Sequence, residues 1–130
     1  MVRVYRLHSV HCTDLAIPSF KLLALYCIEC GVKALLMQQY VVEQTEDLPE
    51  AAQIGHNAVE GLKLLNAPVS LLKLKDLRMM TTHKQPPQQQ VSPATLHQAL
   101  RYGIPVTCTA ESTIEIARIL EWLEGRFNEL

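Results

Sequence analysis

Residues 19–44, SFKLLALYCIECGVKALLMQQYVVEQ, are the longest proline-free stretch of the chain and its most apolar one, so the remainder must pack around them. Read at helical spacing, Leu23, Cys27, Cys30, Ala34, Met37 and Val41 fall at alternating steps of four and three. That spacing predicts one long helix with a single buried stripe. Glu29 and Lys33 stand one turn apart with the acid first, the order in which such residues pair along a helix surface. Lys21, Glu29, Lys33 and the glutamines interrupt the apolar run, which argues against a membrane span.

At 130 residues and 48% hydrophobic content, the chain is long and apolar enough to be read as one domain, residues 1–130, cored without disulfides. Aromatic residues make up only 5%, so aliphatic side chains must fill that core. The net charge of -1 excludes any global pull toward nucleic acid or anionic lipid; such binding would need a local patch. The opening MVRVYRLHSVHC lacks the unbroken apolar core of a secretory signal. The four cysteines are then expected to be reduced thiols in a cytoplasmic protein.

Along the chain, Val2 and Val4 alternate weakly with arginine, as a short extended arm or a first helical turn would. Thr13 or Ser19 offers a cap for the long helix, with Pro18 marking a kink or a new start. Four acids in residues 43–50 suit a solvated turn, and Pro49 suits the first turn of a second helix. Ile54, Ala58, Leu62 and Leu65 give that helix its stripe, and Asn66 and Pro68 stop it. A third helix is predicted over 69–82, with Leu71, Leu74 and Leu77 inward and Lys73, Lys75 and Arg78 outward. With Lys84 just beyond, this is the most basic local patch. Residues 84–92, KQPPQQQVS, read as a loop. Ser92 and Pro93 then start a short helix that ends at Gly103, and residues 104–108 look extended because of Pro105. Thr109 is expected to cap a last helix that turns Ile114, Ala117, Leu120, Leu123 and Phe127 inward. The expected class is all-α, an up-and-down bundle of four to five helices.

Few side-chain constellations rise above packing. Cys27 and Cys30 have redox or zinc spacing, but the chain contains no second such pair. Only His8, His11 and Cys12 could complete a zinc site, so the two cysteines read as core residues and no metal or cofactor is expected. His56 reads as a hydrogen-bonding residue at a helix start, and Trp122 as an edge residue able to anchor a partner. The run VSPATLHQALRYGIPVT resembles the second helix of a helix-turn-helix DNA-binding protein. Only Lys84 and Arg101 lie near it as cations, and the preceding loop is too long for the tight turn.

Three motifs in order carry a wider resemblance: LYCIECGVKALL, IGHNAVEGLKLL, and ALRYGIPV before a long closing helix. The succession resembles the HEPN superfamily of small helical domains from about Phe20 to Phe127. The matching positions are Glu29, Cys30, Lys33 and Ala34, then Gly55 and His56, then Arg101 and Tyr102. The resemblance implies a homodimerising helical interaction module in a nucleic-acid- or nucleotide-linked system of the defence or toxin–antitoxin type. It also implies a nucleotidyltransferase as partner protein and RNA as a ligand, with Lys73, Lys75, Lys84, Arg101 and Tyr102 as binding residues. Its alternative is a metal-independent ribonuclease built on an arginine and a following histidine. Arg78 and His83 stand at such a spacing. Arginine would hold the phosphate and histidine would move the proton.

Overall fold

The structure is a computed structural model that describes residues 18–82 and 89–129. Of these, 64% are helical and 6% are strand. Helix α1, Pro18–Gln39, is the axis; α2 (Ala58–Leu64), α3 (Leu96–Arg101) and α4 (Thr109–Asn128) all pack on it. Because neighbours cover it on several sides, its buried arc is wider than one stripe and is rotated by about one residue from the expected one. Ala24, Cys27, Ile28, Val32, Leu35 and Leu36 are buried, whereas Leu23, Cys30 and Met37 are only half-buried. Val41 does not belong to the helix: it is 90% exposed at φ +55 in the turn that ends α1. That turn closes with Val42 N–H donating to the Met37 carbonyl at 3.0 Å, a left-handed helix end.

The single second helix expected from Pro49 is divided. Two 3-10 turns, Thr45–Asp47 and Glu50–Ala52, come first. Gly55, at φ +58, then reverses the chain before α2 begins. Asn57 caps α2, its side-chain oxygen accepting from Glu60 N–H at 3.4 Å. The stop is where expected: Asn66 is left-handed at φ +59, and Ala67 N–H returns to the Leu62 carbonyl at 3.0 Å.

The helix expected over 69–82 is replaced by two 3-10 turns, Val69–Leu71 and Lys73–Asp76, and a strand, β1, Met79–Met80. Leu71, Leu74 and Leu77 recur every third residue, the period of a 3-10 turn rather than of an α-helix. Strand β1 pairs antiparallel with β2, Gln90–Val91, placing Met79 opposite Val91 and Met80 opposite Gln90. Thr81 bridges Val106, so the segment expected to be extended is tied to this hairpin at Val106, although Cys108 at its end is left-handed. Of the expected loop, residues 84–88 lie outside the described part and residues 90–91 are strand.

Helix α3 starts at Leu96, after a turn in which the Ser92 carbonyl accepts from Thr95 and Leu96 N–H. Thr109 is the first residue of α4 and not its cap; the cap position is Cys108, left-handed at φ +57. The inward face of α4 is Ser112, Glu115, Ile116, Ile119, Leu123 and Phe127, while Ile114 is 51% exposed and Ala117 is exposed. Polar residues occupy that face because partners await them. Buried Lys21 of α1 donates to the Thr109 carbonyl at 3.0 Å and to Ser112 Oγ at 2.8 Å. Burial pulls the Lys21 ammonium below its usual pKa. Trp122 is half-buried at the edge, under the Arg126 guanidinium at 5.2 Å.

Candidate functional site

Tyr26, Glu29 and Lys33 lie on one ridge of α1, at steps of three and four. Lys33 Nζ meets Glu29 Oε1 at 2.7 Å, the pairing expected from their spacing. The other carboxylate oxygen lies 3.0 Å from His56 Nδ1, because the Gly55 turn returns the chain toward α1 just before α2. From α3, His97 places its ring against His56, with centroids 4.1 Å apart and planes at 30°. One turn further on, Arg101 Nη2 donates to the Tyr26 hydroxyl at 2.6 Å. Three separate stretches of chain thus build one continuous polar cluster.

Its electrostatics are graded by depth. Burial alone would raise the Glu29 carboxyl, but the hydrogen bonds from Lys33 and His56 outweigh it and hold the group below the usual carboxylate range. Glu29 is therefore an acceptor, and the proton between the pair sits on His56 Nδ1, leaving Nε2 bare in the neutral ring. The His56 side chain is 53% exposed, against 8% for the residue His97. Burial first, then the neighbouring His56 and Arg101 charges, pull His97 below its ordinary value, against the Ala94 carbonyl and the Glu29 carboxylate.

A proton-linked effect on stability follows. A histidine whose folded pKa is depressed binds fewer protons folded than unfolded, so it contributes stability above about pH 6.5. That contribution is lost as pH falls through the folded value. Thermal melts at pH 7.5 and 5.5 should show a larger acid loss for the native chain than for His97→Gln. Equal losses would count against this origin.

Chemically, the cluster offers a carboxylate-oriented imidazole, two cations and a hydroxyl on an open face. The cavity behind it, lined by Glu29, His56, His97 and apolar neighbours, measures only about 20 Å³ and encloses no substrate. A groove of about 210 Å³ adjoins it at Lys33 and Gly55 and runs past Glu46 and Gln53. Such a face suits an anionic group on an extended ligand. Among the described residues, no three metal-ligating side chains are grouped.

The residues singled out from sequence fare unevenly. Arg101 enters the cluster, and Tyr102 beside it is 71% exposed. Lys73, Lys75 and Arg78 are exposed on the 3-10 segment and the approach to β1, not on a helix. The Arg78 carbonyl accepts from Thr107 Oγ1 at 3.3 Å. His83 and Lys84 lie outside the described residues, as do His8, His11 and Cys12. Cys27 is buried and Cys30 half-buried on α1, in keeping with a core role.

Tyr26 and His97 are functional candidates that sequence reasoning missed. Both carried a signal: Tyr26 precedes Glu29 by three, and His97 precedes Arg101 by four, which is one helix face in each case. Comparisons with protein-family models, with curated proteins and with solved structures found no match.

Proposed function

We propose that the protein is a HEPN-like helical interaction module, an up-and-down bundle that forms a homodimer and works in a nucleic-acid- or nucleotide-linked system. Its ligand-facing surface is the Lys33–Glu29–His56–His97–Arg101 cluster. One observation carries the reading: Glu29, Lys33, His56 and Arg101, four of the positions on which the HEPN resemblance rests, meet on one solvent-facing side. Arg101 can donate to phosphate oxygens, with Tyr102 available to stack on a base. A defence or toxin–antitoxin setting and a nucleotidyltransferase partner belong to this reading.

The second reading is a metal-independent ribonuclease. The Glu29–His56 pair favours it, since a carboxylate on Nδ1 leaves Nε2 as a base for a ribose 2′-hydroxyl. In this reading His56 is a second candidate base, with Arg101 at the phosphate, beside the Arg78 and His83 pair that the resemblance implies.

Fluorescence anisotropy with a single-stranded RNA oligonucleotide tests both readings. Binding should weaken as salt rises, and Arg101→Ala should raise Kd by about tenfold, as loss of one charge-assisted contact does. Arg78→Ala should change it much less. No saturable binding of RNA or nucleotide to the native protein would sink the first reading. Absence of cleavage in EDTA above the His56→Ala level would sink the second.

A further inference from the structure

We propose that a second groove, between the 3-10 turn Lys73–Asp76 and the first half of α4, binds an organic cation, an alkylamine or alkylguanidine, at the Glu115 carboxylate. The groove measures about 460 Å³ and shares no residue with the histidine cluster, so the proposal does not rest on the function proposed above. Three carboxylates border it, Asp76, Glu111 and Glu115, against two cations, Lys73 and Arg118.

Glu115 is the residue that calls for a ligand. It is only 7% exposed, and Arg118 Nη1 meets its Oε1 at 3.0 Å. Its Oε2 has no hydrogen bond, the sole buried side-chain polar atom in that state among the described residues. A buried carboxylate oxygen without a donor is costly, and an incoming N–H removes that cost. A cation also answers the excess of one carboxylate over the cations at the groove, which a water molecule does not.

The remaining walls describe the stem of the ligand. Half-buried Leu77 and Ile114, 51% exposed, give an apolar side against which several methylenes can lie. The volume falls within the range of small-ligand sites. Arg118, whose side chain is 50% exposed, pairs with the other carboxylate oxygen and, being half in solvent, can change rotamer to admit the ligand. A free polyamine-like molecule and an arginine side chain of another protein share this chemistry.

The test is a titration of the ¹⁵N-labelled protein at low salt with agmatine, the free form, and with arginine capped at both termini, the peptide-borne form. Saturable shifts are expected at residues 73–77 and 111–118 with agmatine. Saturation by capped arginine as well assigns a protein side chain, and saturation by agmatine alone assigns a free amine. Glu115→Gln keeps the shape and should weaken binding by about tenfold, one charge-assisted contact. If that variant loses its fold by circular dichroism, Ile114→Ser on the exposed wall serves instead and should weaken binding severalfold. Failure of both ligands to saturate at millimolar concentration, shifts centred elsewhere, or equal affinity in the variant would overturn the proposal.

Discussion

Ile28→Ala should lower the unfolding free energy by about 2–5 kcal/mol, the range for truncating a fully buried aliphatic side chain. Ile28 is 1% exposed at the middle of α1, and it shares a small cavity with Leu25, Val59, Leu74 and Ile119. Removing three carbons there enlarges a void walled by α2, α4 and the 3-10 segment, which cannot all relax inward together. Leu23→Ala, at a half-buried position of the stripe expected from sequence, should cost clearly less. Urea unfolding of both variants checks this. A Leu23 effect equal to that of Ile28 would mean that the buried arc of α1 is misplaced.

Gly61→Ala should also destabilise, by about 1–3 kcal/mol, although alanine is the better helix former. A methyl at this buried position of α2 would run into Val32 Cγ1 of α1 and approach Ile54 Cδ1 to 2.7 Å. The glycine permits close approach of the two helices rather than an unusual dihedral. Val32→Ala in the Gly61→Ala background should restore part of the loss, because it removes the atom that is struck. A gain in stability from Gly61→Ala alone, read by thermal melting, would contradict the packing.

The long helices were legible because periodicity and composition agree there. Residues 19–39 are apolar at every turn, and 109–128 alternate charged and aliphatic residues at helical steps. The faces were harder to read. Ser112 and Glu115 sit inward on α4 because Lys21 and Arg118 come to meet them, contacts made across the fold or one turn away that hydropathy does not encode. The segment 69–82 misled for a related reason. Three leucines at a spacing of three satisfy an α-helical template loosely, and only pairing with Gln90–Val91 and Val106 reveals a strand at Met79–Met80. Within the candidate site, the Glu29–Lys33 pair could be read from sequence, and so could the special positions of Gly55, His56 and Arg101. That Glu29 orients His56, and that His97 stacks upon it, needed the chain to return twice to α1.

The enclosure of α1 has a consequence for biosynthesis. Its start is tied to α4 through Lys21, which lies 88 residues before Thr109 and 91 before Ser112. At about 5–20 residues per second, a ribosome takes roughly 4–18 s to make the intervening chain. Throughout that interval a 22-residue apolar helix lacks one of its covers, a surface of the kind chaperones hold. A nascent chain terminated before residue 109 would keep that surface exposed permanently. Docking of α4 is thus the event that takes this face of α1 out of water.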